Sequence, residues 1–177
     1  MITYTGKEID PLNPKAEKIE VNDIAHALSM ICRANGHFKH FYSVGQHSVN
    51  CCLEAEARGC SDRVQLACLL HDGSEAYIAD LIRPVKERVS GYEKCEEKLQ
   101  SIIYKKYGIV CLSQAEKDCI KEIDDDILLH EFLNINDVQF EKNIPKLMGN
   151  IDFSEVSREN VEKDFLMCFE KLTVSLQ

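Results

Sequence analysis

Apolar residues recur at helical spacing along most of the chain after about residue 22, and this pattern limits the possible folds more than any other feature. The first run comprises Ile24, Ala27, Leu28 and Ile31. Side chains three and four residues apart lie on one face of an α-helix, and each such face needs a partner to cover it. The pattern therefore predicts an all-α fold, a compact arrangement of about six or more helices.

Capping patterns predict where three of these helices begin. Ser43–Gln46 and Ser113–Glu116 each have a serine followed three positions later by Gln or Glu, which is the capping-box pattern. Ser61 or Asp62 is expected to cap a further helix, which ends before Pro84 because proline cannot continue a helix. The helices that begin at these residues carry most of the histidine and aspartate candidates for chemistry.

The two ends of the chain are expected to differ in regularity. Residues 1–22 contain turn residues without a helical period and predict a short irregular or β segment. Asn22 is expected to cap the first helix, and Gly36 is expected to end it. No repeat or linker divides the chain, so residues 1–177 are predicted to form one domain, with residues 135–177 as a C-terminal helical extension.

The chain is acidic, with 21 Lys and Arg against 30 Asp and Glu, which gives a formal net charge of −9 at pH 7. Binding of a nucleic-acid polymer or of an anionic membrane requires a basic face. The charge balance therefore argues against both as partners, although a small anion could still bind in a local basic pocket. Hydrophobic residues make up 45% of the chain, which is typical of a folded protein rather than a disordered one.

Nine cysteines are the unusual feature of the composition. No two of them are at C-x-x-C spacing, their number is odd, and the N-terminal residues lack the apolar stretch of a secretory leader. These features predict reduced thiols in a cytoplasmic protein, and most of the thiols are expected to be buried in the core. No stretch approaches the roughly 20 apolar residues of a membrane-spanning helix, so no membrane partner is expected.

The strongest local signal for chemistry is the adjacent pair His71 and Asp72, with Glu75 four residues after the histidine. On a helix, this spacing places His71 and Glu75 on nearly the same side. The pair directly follows the apolar residues 67–70, where burying an imidazole and two carboxylates is costly unless something compensates. A bound divalent cation would compensate, and so would a helix end at which the charges reach water. The pair alone favours neither explanation.

Two further positions favour a metal site. His47 lies on the apolar stripe of the preceding helix, although a lone histidine there is more often a core residue. Asp124 lies four residues from both Ile120 and Leu128 on the apolar side of its helix, although an acidic run is more often a solvated face. Two imidazoles and two carboxylates suit a first-row transition ion such as Mn, Fe, Co, Ni or Zn. The four predicted ligands are His47, His71, Asp72 and Asp124.

An ordered set of short motifs extends over roughly residues 3 to 134. It comprises Thr3–Gly6, Asp10–Pro14, Asp23–Ser29, Phe41–Val44 with Gln46–Ser48, Leu70–Asp72 with Ser74–Glu75, Asp80–Leu81 and Pro84–Lys86. Together with the pattern H…HD…D, this set resembles the HD-domain metal-dependent phosphohydrolases, and within them the bacterial and phage branch that includes the 5′-deoxynucleotidases. The resemblance implies a helical HD-domain fold and a small-molecule nucleotide as substrate, and homodimers are common among such proteins.

By the same resemblance, Asp72 and Glu75 are the catalytic residues, and Glu75 would handle the protons of the attacking water. Two further aspartates follow the fourth metal ligand, and a shift of one residue would rotate a helical side chain by about 100°. The apolar periodicity and the superfamily pattern both favour Asp124. The metal ligands that the resemblance implies are His47, His71, Asp72 and Asp124.

Two residues correspond to substrate-binding positions of that branch. Arg33 matches, within a residue, the arginine that holds the substrate phosphate, although an arginine at a helix end is often only a surface residue. Asp80 matches a carboxylate that lies near the sugar. The branch has an aromatic residue after its arginine, whereas this chain has Ala34 and Asn35, so the contact with the base is expected to differ.

The resemblance predicts hydrolysis of a phosphoester, with a nucleoside or deoxynucleoside 5′-monophosphate as the preferred substrate. Because the aromatic residue is missing, two other activities of the same site remain as alternatives. These are a nucleoside triphosphate triphosphohydrolase and a cyclic-nucleotide phosphodiesterase. A third alternative is a non-catalytic nucleotide-binding domain. Such a domain would be expected to have lost ligands, and here all four are present.

The remaining candidates are assigned lesser roles. Arg83, Lys86 and Arg88 could form a basic rim, although Arg88 is more typical of a solvated helix start. His26 and His130 are assigned to structure. None of the nine cysteines is expected in the metal shell.

Overall fold

The computed structural model describes residues 1–175, without the side chains of Arg83 and Ser175. This part of the chain is helical and contains no β-strand, so the all-α prediction is confirmed. None of its helices has the length and apolar character needed to cross a membrane. Short 3₁₀ turns lie at Ala16–Lys18 and Arg33–Gly36. The α-helices are α1 Val21–Met30, α2 Val44–Ala57, α3 Asp62–Leu70, α4 Glu75–Ile78, α5 Arg83–Lys86, α6 Tyr92–Lys106, α7 Gln114–Asn136 and α8 Arg158–Ser175.

The first helix, α1, differs from the prediction at both ends. Glu20 precedes the helix, and Asn22 lies inside its first turn instead of capping it. The helix also ends well before Gly36. In the segment before α1, Ile2 and Glu8 form an isolated antiparallel bridge, which agrees with the short irregular segment predicted there.

The early end of α1 has a cause in the tertiary structure. The carbonyl oxygen of Ile31 accepts a hydrogen bond from Val44 N at 3.0 Å, and that of Tyr42 accepts one from Arg33 N at 2.9 Å. These bonds hold the chain extended beside the segment that leads into α2. The helical period alone does not reveal this pairing, because its partners lie on separate segments of the sequence.

The helix predicted from Ser61 to before Pro84 is broken into three pieces. Ser61 caps α3 as predicted, but the four residues after α3 form a turn, and α4 and α5 span four residues each. Ala79 has a φ of 71°, which ends α4. His71 and Asp72 therefore lie in a turn, where their side chains are not limited to one helical face.

The central helix, α2, positions one side of the candidate site. It packs against α1, α3, α7 and α8, and all but one of its residues between Val44 and Ala55 are buried. A helix covered on most sides is normally apolar all round, so buried polar residues on it need partners inside the protein. These residues are Gln46, His47, Ser48, Asn50 and Glu54.

The irregular segment between α7 and α8 is tied to α2 by polar contacts. The Gln46 side chain donates to Ser154 O at 2.9 Å, and the Glu54 carboxylate accepts from Gly149 N at 2.8 Å. Gln46 therefore does not complete the predicted capping box, in which Ser43 accepts from its backbone N–H. Beyond α7, the predicted C-terminal extension is helical only in α8.

The capping box at the start of α7 is complete, with Ser113 accepting from Glu116 N and Glu116 accepting from Ser113 N. Changing Ser113 to alanine is expected to lower the free energy of unfolding by about 1 kcal/mol, because a backbone N–H loses its partner. Urea unfolding followed by circular dichroism measures this loss. Ser101→Ala, on the exposed face of α6, is the control and should change stability by less than about 0.5 kcal/mol. Equal losses in both variants would contradict the capping role.

Candidate metal centre

Two histidines and two aspartates from three parts of the chain converge on one point. Nε2 of His47 lies 3.2 Å from Nε2 of His71 and 3.0 Å from Oδ1 of Asp124. Oδ2 of Asp72 lies 3.3 Å from Nε2 of His71 and 3.9 Å from Nε2 of His47. His47 comes from α2, His71 and Asp72 from the turn after α3, and Asp124 from α7. The structure thus brings all four predicted metal ligands together.

The spacing of these atoms fits a shared metal ion. Nitrogen and oxygen ligands lie about 2.0–2.2 Å from Zn²⁺, which puts neighbouring ligand atoms about 3–3.6 Å apart. The distances of 3.0–3.9 Å lie in or just above that range. In addition, Sγ of Cys51 lies 3.5 Å from Nε2 of His47, and His47, Cys51 and His71 form a group that could hold a metal ion. Cys51 therefore lies beside the predicted ligands, although no cysteine was expected in the metal shell.

Acidic neighbours concentrate negative charge at this point. Burial disfavours the charged imidazole of His71, but the carboxylates of Asp72 and Asp124 outweigh burial and raise its pKa to about 9. Burial likewise opposes charge on His47, yet Glu131 and Asp124 raise its pKa. Burial also disfavours the Asp124 carboxylate, but hydrogen bonds from His47 and His71 lower its pKa well below the usual value. The cluster therefore favours a bound positive charge.

Of the three consecutive aspartates, Asp124 is the one whose carboxylate contacts both histidines. Asp125 pairs with the exposed Lys121, and Asp126 accepts a hydrogen bond from Arg58 at 2.7 Å. Successive helical residues project about 100° apart, which separates the three carboxylates. The position on α7 that apolar periodicity favours is thus the one that faces the histidines.

Glu131 is a fully buried residue of the site that the sequence pattern did not indicate. Its Oε1 lies 2.6 Å from Nδ1 of His47, and its Oε2 lies 2.8 Å from Nε of Arg33. Although burial favours the neutral acid, Arg33 and His47 lower the pKa of Glu131. An ionised carboxylate can only accept hydrogen bonds, so Nδ1 of His47 donates one to Glu131. Nε2, the other ring nitrogen of His47, faces Asp124. Glu131 lies seven residues after Asp124, and this two-turn spacing is the signal that could have revealed it.

The Arg33 side chain points into the site, with 11% of it exposed. Its terminal nitrogens lie 3.6 Å from a carboxylate oxygen of Asp72 and 3.6 Å from one of Asp124. These contacts are ion pairs too long for good hydrogen bonds, so the terminal N–H groups remain able to donate to a ligand. Arg33 is therefore not the surface arginine that a helix end would allow.

Two of the four predicted ligands, Asp72 and Asp124, line a cavity of about 300 Å³, a volume at the lower end of the range for ligand pockets. Phe132 forms part of its apolar wall. An aromatic ring is thus supplied by α7, whereas the residues that follow Arg33 supply none. Both predicted substrate-binding residues line the cavity. Its charged lining residues are Arg33, Asp72, Glu75, Asp80, Lys86 and Asp124.

Glu75 reaches this cavity from the start of α4, not from the helix that precedes His71. Its side chain is buried, and Oε2 has no hydrogen-bond partner within the described residues. Oε1 lies 3.7 Å from Nζ of Lys86. Burial, together with the charges of Asp72 and Asp80, raises the pKa of Glu75 to about 10. A buried carboxyl oxygen without a partner is costly, and such perturbed groups cluster at functional sites.

Of the other candidates whose side chains the structure describes, only Lys86 lines the cavity. His26 stacks on an aromatic ring at a centroid distance of 3.8 Å, and His130 lies 2.7 Å from a backbone carbonyl oxygen, which agrees with structural roles. Arg88 is exposed, and the side chain of Arg83 lies outside the described part of the chain. Of the predicted basic rim, Lys86 lines the cavity.

The chain is similar to proteins from two organisms. It is 39% identical over 109 residues to the uncharacterized protein YfdR of Escherichia coli, a match that covers 60% of this chain and 57% of YfdR. It is 35% identical over 127 residues to an uncharacterized protein of Rhodobacter capsulatus, covering 68% of this chain and 64% of that protein. No protein-family model matches the chain. The chain thus spans less than two thirds of the length of either relative.

Proposed function

We propose that this chain is a metal-dependent phosphohydrolase that hydrolyses a phosphoester of a small nucleotide, as its resemblance to the HD-domain enzymes implies. The preferred substrate class is a nucleoside or deoxynucleoside 5′-monophosphate. One observation carries the proposal: two imidazole nitrogens each lie 3.0–3.9 Å from two carboxylate oxygens, beside a cavity with two basic side chains. This donor set suits a divalent transition ion such as Mn, Fe, Co, Ni or Zn.

The charges around the cavity support an anionic ligand that binds together with a cation. Even when Glu75 is protonated, as its raised pKa favours without an ion, four carboxylates outnumber the two basic side chains of the site. The four are Asp72, Asp80, Asp124 and Glu131. A divalent ion would balance the difference, and these carboxylates would otherwise repel a phosphate. Arg33 and Lys86 line the same cavity and can donate to phosphate oxygens.

The arrangement suits hydrolysis by direct attack of water. An ion at this site would supply Lewis acidity, which lowers the pKa of water toward about 7. Glu75 is suited to take the proton of the attacking water, because its Oε2 is buried and unpartnered and a nearby positive charge favours its ionised form. As the water oxygen bonds to phosphorus, the ester bond breaks and Glu75 passes the proton to the departing nucleoside oxygen. Arg33 offsets the charge that develops on the phosphoryl oxygens.

Metal analysis and product analysis test the proposal together. Protein loaded separately with Mn²⁺, Co²⁺ or Zn²⁺ is assayed against nucleoside mono-, tri- and cyclic phosphates. Inorganic phosphate released from monophosphates is the expected result. Tripolyphosphate from triphosphates would instead indicate a triphosphohydrolase, and a monophosphate from cyclic substrates a phosphodiesterase. Nucleotide binding without hydrolysis would indicate a non-catalytic domain, and unchanged activity in Asp72→Ala would overturn the metal mechanism.

Changing Glu75 to glutamine is expected to reduce kcat by about 10²–10⁴-fold, the usual contribution of a general acid–base group. The amide keeps the size of the side chain but cannot take a proton from water. Bound metal, measured by mass spectrometry after dialysis, should stay unchanged. Glu93→Gln, at an exposed position on α6, is the matched control and should keep full activity. A Glu75→Gln enzyme as fast as wild type would exclude Glu75 as the proton acceptor.

A further inference from the structure

We propose that the Cys51 thiolate is a further ligand of the metal ion, an inference that rests on the metal centre of the proposed function. Cys51 follows His47 by four residues on α2, so both side chains project from the same face of that helix. Only 1% of Cys51 is exposed, and its sulfur faces the imidazole nitrogen that also contacts Asp124. The site therefore contains a sulfur donor besides its nitrogen and oxygen donors.

The distances allow the sulfur to share an ion with the histidines. Sγ of Cys51 lies 3.5 Å from Nε2 of His47, and the ligand atoms of His47, Cys51 and His71 all lie within 4.8 Å of one another. With metal–sulfur bonds of about 2.3 Å and metal–nitrogen bonds of about 2.0–2.1 Å, sulfur and nitrogen on one ion are separated by about 3.1–3.6 Å. When the sulfur–metal bond forms, the S–H bond breaks and the thiol proton leaves to solvent.

The adjacent Cys52 provides a comparison within the same helix. It is also buried, with 3% exposed, but it hydrogen-bonds with Cys168 of α8. Free cysteines are commonly buried, so burial alone does not distinguish the two thiols. The two thiols differ in their neighbours, because the Cys51 sulfur contacts Nε2 of His47. Of the two, only Cys51 belongs to the group that could hold an ion.

A thiolate ligand would change which ion the site prefers. Thiolates are soft donors that favour ions such as Zn²⁺, whereas carboxylates and water suit Mn²⁺ and Mg²⁺. We therefore expect this centre to discriminate against Mn²⁺ more strongly than a site with two histidines and two aspartates alone.

Cobalt(II) is the probe for this inference. Cobalt–thiolate bonds give an intense near-ultraviolet charge-transfer band, while weaker visible bands report bound cobalt whatever its ligands are. Wild-type protein loaded with Co²⁺ is expected to show both features. Cys51→Ser should lose the near-ultraviolet band and keep visible bands, and the matched control Cys52→Ser should keep both. X-ray absorption of the Zn²⁺-loaded wild type, which needs no variant, should show one sulfur neighbour at about 2.3 Å.

Two results would overturn the ligand while the metal centre stands. These are visible cobalt bands without a near-ultraviolet band in the wild type, and a zinc spectrum without sulfur. Survival of the near-ultraviolet band in Cys51→Ser would likewise assign the sulfur elsewhere. If the wild type binds neither cobalt nor zinc, the metal centre of the proposed function fails, and the inference about Cys51 fails with it.

Discussion

Replacing Asp124 with asparagine is expected to abolish tight metal binding and phosphoester hydrolysis together. Its Oδ1 lies 3.0 Å from Nε2 of His47 and 3.7 Å from Nε2 of His71, so the change removes a charged donor from the centre of the cluster. Changes to residues that only support metal ligands cost about 10–100-fold in metal affinity or activity, and loss of a ligand should cost more. Metal content after dialysis and the rate of phosphate release measure the two effects.

The adjacent aspartate provides the matched control. Asp125→Asn removes the same charge from the next residue of α7, where the carboxylate pairs with exposed Lys121, and it should leave metal content and activity unchanged. If the losses occur in Asp125→Asn instead, the ligand on α7 is assigned one residue too early. If neither variant loses metal, α7 supplies no ligand at this position and the four-residue centre is wrong.

Replacing Glu131 with alanine is expected to have the largest effect on stability. The variant leaves Arg33 and His47 buried without the carboxylate that lies 2.8 Å and 2.6 Å from them. Removing one partner of a buried ion pair typically costs about 3–5 kcal/mol, because the remaining charge stays buried without compensation. Metal affinity should also fall by about 10–100-fold, since His47 loses the acceptor that orients its ring. Urea unfolding and metal titration measure the two losses.

Two further variants separate the roles of Glu131. Glu131→Gln keeps an acceptor for Nδ1 of His47 but loses the charge opposite Arg33, so its metal affinity should recover more than its stability. Glu122→Ala, on the exposed side of α7, breaks only a surface ion pair with Arg58 and should cost about 1 kcal/mol or less. A Glu131→Ala protein as stable as wild type, with unchanged metal affinity, would show that Glu131 does not position His47.

The helices were predictable where local signals set them. Ser113 and Ser61 cap α7 and α3 as their sequence patterns predict, because a cap depends on residues within one turn. The end of α1 was not predictable, since it depends on the pairing of Ile31 with Val44 across the turn that contains Arg33. The break after α3 was missed for a similar reason. The helical period extends through Leu70 to His71, but the chain turns at residues 71–74.

The sequence was enough to predict the four residues that converge at the candidate site, but not the residues that surround them. Apolar periodicity favoured Asp124 over its neighbours, and the structure places that carboxylate against both histidines. Glu131 and Cys51 were missed, although both follow a predicted ligand at helical spacing. A buried glutamate and a buried cysteine each have a common explanation in core packing, and spacing alone does not distinguish packing from a role in a site. The structure adds that both residues contact His47.

By itself, the sequence determined the helical class of the fold and the types of donor available, because periodicity, caps and residue chemistry are local properties. Only the tertiary structure decided which donors meet. The hydrogen bond between His47 and Glu131 joins residues 84 positions apart, and Arg33 enters the site because α1 ends early. The physical reason is that these contacts depend on how α2, α3 and α7 pack together, and packing sums many weak contacts between distant segments that no local pattern records.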